Sequence, residues 1–273
     1  MTKPGYVMPI GGAEERTPES PVLRRFFDIC GGQGCRIAII PTASQLAETG
    51  PAYQQLFTDM GADEPKSLPF ATRADAETNE EWIDVLRRAH GIFLTGGNQL
   101  RLSTILGGTT AARVLRERQK EGLHVAGTSA GAAILSAHMI AYGKEGSTPR
   151  GEAVALAPGI GVLDKVIVDQ HFRQRDRLGR LLTAVAMNPR YLGLGVDENT
   201  GAVIAPDGTI EVVGEGSLTI VDGRDVMFTS AHEVGRNEPL TLLNVKLHIL
   251  GGGATYNLET RTPDFDPTPS TPF

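Results

Sequence analysis

The sequence predicts an α/β protein: a doubly wound, mostly parallel sheet with helices on both faces, continued by a β-rich C-terminal portion in the same domain. Three observations predict it. Near-continuous apolar runs at residues 36–41 and 91–95 have the character of strands buried on both faces of a parallel sheet. Between such runs lie segments with helical spacing and helix start and stop signals. Beyond Tyr191 the apolar runs shorten and hairpin-like turns appear, among them Pro206-Asp-Gly208 and Asp222-Gly223.

Taken in order, residues 6–10 form a short apolar strand that ends in Gly11-Gly12 and acidic residues, and a helix follows over 21–29. The strand at 36–41 is closed by Pro41-Thr-Ala-Ser44. Helical spacing over 51–60 stops at Gly61, residues 66–70 suit a strand, and a helix over 79–89 sets Trp82, Val85 and Leu86 on one side. The strand at 91–95 runs into Gly96-Gly97-Asn98-Gln99. Paired glycines at the carboxyl end of a buried strand signal a sharp turn or a close approach, at the end of an open α/β sheet where ligands bind. A helix over 109–122 then delivers the chain to a strand at 123–126.

Residues 139–161 read as a long Gly- and Pro-rich loop, a candidate lid. A strand over 166–171 ends in polar residues, and a helix is expected over 174–187. Short strands at 192–196, 202–205, 210–213, 218–221 and 240–250 can extend the main sheet on one edge. The reading is one α/β domain over residues 1–261. Residues 262–273 carry four prolines and few apolar side chains, so a poorly ordered tail is expected there.

Composition narrows the function classes. With 273 residues the chain can bury a substantial core, and 40% hydrophobic with 21% charged residues is ordinary for a globular protein. A formal net charge of -6 with no basic run argues against nucleic-acid binding. No hydrophobic leader opens the sequence and no apolar run reaches the roughly 18 residues of a membrane span, so a cytoplasmic protein is expected. Cys30 and Cys35, spaced neither as a redox pair nor as a zinc knuckle, are expected to be free thiols.

The stretch Val125-Ala-Gly-Thr-Ser-Ala-Gly-Ala-Ala-Ile-Leu135 organises the chemistry. A buried strand passes through Gly127, Ser129 and Gly131 into an apolar helix expected over 130–137, the spacing of a nucleophile elbow. A serine hydroxyl has almost no anionic form at neutral pH, so Ser129 needs a base and a group to orient that base. Of six histidines, His171 is the candidate, because it stands at the polar end of an apolar strand just after Asp169 and Gln170. Gly195-Val-Asp-Glu-Asn199 offers Asp197 and Glu198 as orienting carboxylates, and the residues alone do not separate them. After His171 comes a series of arginines. At about 3.6 residues per turn Arg173, Arg177 and Arg180 share a helix face, Leu178, Leu181, Leu182 and Val185 occupy another, and Arg175 lies off both. Guanidinium forks at a strand-to-helix junction suit carboxylate recognition.

Thr95-Gly-Gly-Asn-Gln99, Gly127-Thr-Ser-Ala-Gly131, Asp169-Gln-His-Phe-Arg-Gln-Arg-Asp-Arg-Leu-Gly-Arg180 and Gly195-Val-Asp-Glu-Asn199 together strongly resemble the cyanophycinases, serine peptidases related to peptidase E, the aspartyl dipeptidase. The resemblance implies a flavodoxin-like fold shared with class I glutamine amidotransferases, which carry cysteine where this chain has Ser129. It also implies the substrate cyanophycin, a poly-aspartate with arginine amide-linked to each β-carboxylate, and the product β-Asp-Arg. The roles it implies are Ser129 as nucleophile, His171 as base and Glu198 as orienting acid. Backbone N–H groups of Gly97 and Ala130 are then the oxyanion-hole candidates, and Gln99, Asp169, Gln170, Arg175, Arg177 and Arg180 the substrate-binding set, with Asp169 available to a substrate guanidinium. No metal or cofactor is called for, and a homodimer is the implied assembly. A peptidase E-like dipeptidase cutting short N-terminal Asp peptides and a noncatalytic polymer-binding relative are the alternatives.

Overall fold

A computed structural model describes residues 3–265. Strand β1 (Val7–Ile10) leads to helix α1 (Pro21–Ile29), and β2 (Ile37–Ile40) to α2 (Thr49–Met60). Then come β3 (Lys66–Ser67), α3 (Arg73–Thr78), α4 (Glu80–Arg88), β4 (Gly91–Leu94), α5 (Gln99–Leu106) and α6 (Thr110–Lys120). Local signals mark the ends. Ser20 caps α1 ahead of Pro21, whose missing N–H costs nothing at a helix start, and Gly61 closes α2 at φ 102°. Strand β5 (His124–Thr128) enters α7 (Ala130–Ala133), which stops four residues short of the helix expected to 137.

Next are β6 (His138–Gly143), β7 (Val154–Pro158), β8 (Val166–Gln170), α8 (Leu178–Met187), β9 (Leu192–Val196), β10 (Thr200–Ile204), β11 (Thr209–Gly214) and β12 (Leu218–Asp222). The chain finishes with β13 (Phe228–Thr229), β14 (Leu242–Leu243), β15 (Lys246–Leu250), β16 (Ala254–Asn257) and β17 (Thr262–Phe265).

A nine-stranded sheet runs in the order β17-β16-β11-β10-β1-β5-β4-β2-β3. The half from β1 to β3 is parallel and the half from β10 outward is antiparallel. The parallel half is buried on both faces. In β2 the alternate residues Ile37 and Ile39 pack with α1 and α2 around Phe26, Tyr53 and Phe57, while Ala38 and Ile40 pack with α3 to α6 around Ile83, Leu86 and Leu102. This is why those runs are apolar without alternation.

The β-rich portion differs from the expectation of a simple extension. Only β10, β11, β16 and β17 continue the main sheet; β8, β9, β12 and β15 form a second, four-stranded sheet. The two sheets share the end where β8 and β9 leave their polar residues. Residues 139–161 are largely a β6–β7 hairpin rather than a loop, and its turn rests on the segment just before α8 through Gly146 N–H to Asp176 O at 2.6 Å. Residues 262–265 of the expected tail pair with β16, and residues 266–273 lie outside the described residues. Helix α8 begins at Leu178 rather than 174, because His171 and Asp176 adopt φ of 47° and 46° and residues 171–177 form an irregular turn. No described helix is long and apolar enough to cross a membrane.

Candidate active site

Ser129 stands between β5 and α7 with φ 53° and ψ -113°, a conformation that non-glycine residues avoid unless their surroundings enforce it. The flanking glycines are required by contact. A Cβ at residue 127 would lie 2.1 Å from the carbonyl oxygen of Gly131, and one at residue 131 would lie 2.2 Å from that of Leu94. Strand, elbow and helix are thus packed too closely for side chains on either side of the serine. The result is a hydroxyl raised above the sheet and only partly exposed.

His171 follows β8 and brings Nε2 to 3.0 Å from Ser129 Oγ. Its Nδ1 lies 2.5 Å from Oε1 of Glu198, which follows β9, so the Nδ1–H tautomer donates to the carboxylate and leaves Nε2 to accept from the serine. Burial depresses the His171 pKa most; the Glu198 carboxylate pulls it back up, and the Arg175 and Arg177 charges lower it, for a net position below the usual 6.5. The imidazole is therefore held neutral, ready to accept a proton.

Adjacent carboxylates divide the work. Asp197, 1% exposed, accepts from Arg173 N–H at 3.0 Å, Ser217 N–H at 3.0 Å and Ser217 Oγ at 2.8 Å. It joins the turn after β8 to β12. Because successive residues at a strand end point to opposite sides, Glu198 is left facing His171. This separates two residues that sequence left equivalent.

The other sequence-derived candidates fall into two groups. Gln170 Oε1 lies 3.4 Å from Ser129 Oγ, and Gly97, at the mouth of β4, is exposed beside the elbow: a Cβ on its neighbour Gly96 would stand 3.3 Å from Ser129 Cβ. The N–H of Ala130 opens α7 next to the same hydroxyl. Arg175 is exposed, yet near enough to His171 to act on its charge.

Asp169, Arg180, Arg177 and Gln99 each make hydrogen bonds within the protein. Arg180 Nε donates to Asp169 Oδ2 at 2.6 Å and its Nη2 also donates to Asp169 Oδ1, with Asp169 1% and Arg180 5% exposed. Arg177 Nη1 donates to the Gln170 carbonyl at 2.5 Å, and burial followed by the Arg180 charge brings its pKa down to about 10. Gln99 donates to the carbonyl of Ala141 at 2.5 Å, tying α5 to β6. Both oxygens of Asp169 thus carry hydrogen bonds from Arg180. Nor do Arg173, Arg177 and Arg180 share a helix face: Arg173 precedes the helix and its side chain is 77% exposed beside Asp197. Sequence also missed Glu14, a carboxylate 6% exposed that accepts from Thr128 Oγ1 at 2.5 Å, one residue from the nucleophile. Its only signal was the acidic pair after Gly11-Gly12. Among the described residues no three His, Cys, Asp or Glu side chains converge as a metal site.

The chain is similar to known proteins along most of its length. The chain is 45% identical over 258 residues to a cyanophycinase of Trichormus variabilis, covering 94% of this chain and 86% of that one. It is 46% identical to a cyanophycinase of Synechococcus elongatus, covering 94% and 80%, and 42% identical to one of Geminocystis herdmanii, covering 94% and 95%. The crystal structure of a peptidase from an acI-B1 Actinobacterium shares the fold with a TM-score of 0.69 at 21% identity, over 94% of this chain and 98% of that one. A family model matches residues 7–213, and the chain belongs to peptidase family S51.

Proposed function

We propose that this peptidase is a serine exopeptidase that hydrolyses the poly-aspartate backbone of cyanophycin and releases β-Asp-Arg dipeptides. The observation that carries the reading is a contiguous Ser129–His171–Glu198 relay in a chain 42–46% identical to cyanophycinases over 94% of its length. Ser129 Oγ attacks the backbone carbonyl of an aspartyl unit while His171 Nε2 takes the hydroxyl proton. Glu198 holds the Nδ1–H and stabilises the imidazolium. The N–H groups of Gly97 and Ala130 receive the oxyanion, and removing one such donor costs roughly 100- to 1000-fold in rate. Collapse breaks the peptide bond, and His171 gives its proton to the departing amine. Water then attacks the acyl-enzyme with His171 again as base, freeing the dipeptide's carboxylate and restoring the serine.

Gln170 and Arg175 border the hydroxyl and suit direct substrate contact. Asp169, Arg177, Arg180 and Gln99 complete the substrate-binding set, held in place by their own hydrogen bonds within the protein. The scaffold corresponds to the flavodoxin-like arrangement of class I glutamine amidotransferases, and the enzyme works in the cytoplasm as a homodimer. Supplying purified protein with cyanophycin and, separately, with Asp-X dipeptides tests the reading. Release of β-Asp-Arg from the polymer supports it; cleavage of the short peptides alone would replace it with a dipeptidase.

A further inference from the structure

Three elements carry the relay, and all three meet where β1 runs into the loop that follows it. Successive carbonyls of the last residue of β1 and the first two residues of this loop each take one amide. Ile10 O accepts from Ser129 N–H at 3.0 Å, Gly11 O from His171 N–H at 2.7 Å, and Gly12 O from Asn199 N–H at 2.9 Å. Asn199 directly follows Glu198 and returns the contact, its Oδ1 accepting from Glu15 N–H at 3.2 Å. Ser129, His171 and Asn199 sit at φ of 53°, 47° and 48°, conformations that persist only where neighbouring structure over-determines them. Gly12 lies flat against the base: a Cβ there would fall 2.4 Å from His171 Cε1. The loop therefore sets the relative positions of nucleophile, base and orienting acid.

The loop is itself anchored at Glu14. Ala13, at φ 50°, turns the chain so that the Glu14 side chain enters the interior. One carboxylate oxygen accepts from the Tyr53 hydroxyl on α2, and the other accepts from Thr128 Oγ1 at 2.5 Å. The Arg16 guanidinium covers the Tyr53 ring at 5.0 Å. Burying a carboxylate is costly unless its hydrogen bonds are made, and here they span the loop, the helix and the residue before Ser129.

We infer that Glu14 is a positioning residue for the reaction, which fixes the Ser129–His171 distance through Thr128 and the three carbonyls of residues 10–12. The inference rests on the relay assigned above, and not on the identity of the substrate. Its test is the rate at which an alkyl fluorophosphonate labels Ser129. In that reaction the Oγ–P bond forms, the P–F bond breaks, fluoride leaves and the hydroxyl proton passes to His171, so the readout needs no polymer. Glu14→Ala and Thr128→Val each slow labelling by on the order of 10- to 100-fold, the loss expected when reacting groups are misplaced by a fraction of an ångström to an ångström. The double variant loses no more than either single one, and Thr128→Ser, which restores the donor, regains most of the rate. On the polymer the loss falls in kcat with KM little changed.

Thr128→Val keeps the shape of the side chain, and its folding is checked by circular dichroism and Tm, so the question stays open to refutation even where Glu14→Ala fails to fold. Folded Thr128→Val labelled at the wild-type rate would overturn the inference. Wild-type protein that is labelled but leaves cyanophycin intact would overturn the substrate reading and leave the Glu14 comparison valid. Wild-type protein that is not labelled at Ser129 would overturn both.

Discussion

Arg180 grips Asp169 through two guanidinium nitrogens, with both side chains almost wholly excluded from solvent. Breaking a buried pair by removing one partner leaves an uncompensated charge, a loss of about 3–5 kcal/mol. Asp169→Asn is therefore expected to lower stability by an amount of this order, measured by urea denaturation. Unchanged stability with a raised KM would mark Asp169 as a direct substrate contact instead.

Much of the fold was legible because parallel strands buried on both faces leave an unmistakable pattern. Residues 37–40 and 91–94 are apolar throughout since alternate side chains enter different cores. The second sheet was not legible, because β10 and β12 have similar short apolar patterns although they join different sheets. Partner choice for such strands is a tertiary matter. Likewise Ser129 and His171 could be selected by position, whereas the pairing of Asp169 with Arg180 depends on side-chain directions. The helix face assigned to Arg173 assumed regular helix from 174, and the left-handed turn at His171 and Asp176 removed it.

Asp197 and Glu198 are neighbours with different consequences. Glu198→Gln keeps the size of the side chain but removes the charge that holds the Nδ1–H tautomer, and kcat should fall roughly 10000-fold, as for loss of the acid in other serine relays. Asp197→Asn should instead cost about 1–3 kcal/mol of stability, because a buried acceptor of several hydrogen bonds becomes partly unsatisfied. Kinetics and thermal unfolding on the two variants distinguish the roles; a folded, inactive Asp197→Asn beside a fully active Glu198→Gln would reverse the assignment.

The His171 pKa is lowered by burial first, with Arg175 and Arg177 adding to the effect against the opposing Glu198. Only the neutral imidazole can accept the serine proton, so kcat/KM should hold as pH falls below the usual histidine value near 6.5 and then decline through the depressed pKa. Stability carries the same sign. The folded state binds this proton less readily than the unfolded state does, so the contribution is full above about 6.5 and lost as pH falls through the folded value. Arg175→Gln removes one lowering charge and should move the acid limb of the pH profile upward; a shift downward would contradict the electrostatic account.

The most direct measurement is an acid-quenched reaction with cyanophycin, followed by intact-mass and peptide mass spectrometry. The account predicts an acyl adduct of one β-Asp-Arg unit on Ser129, absent from Ser129→Ala, together with loss of dipeptide release by that variant. Dipeptide release by Ser129→Ala at the wild-type rate, or an adduct carried by another residue, would contradict it.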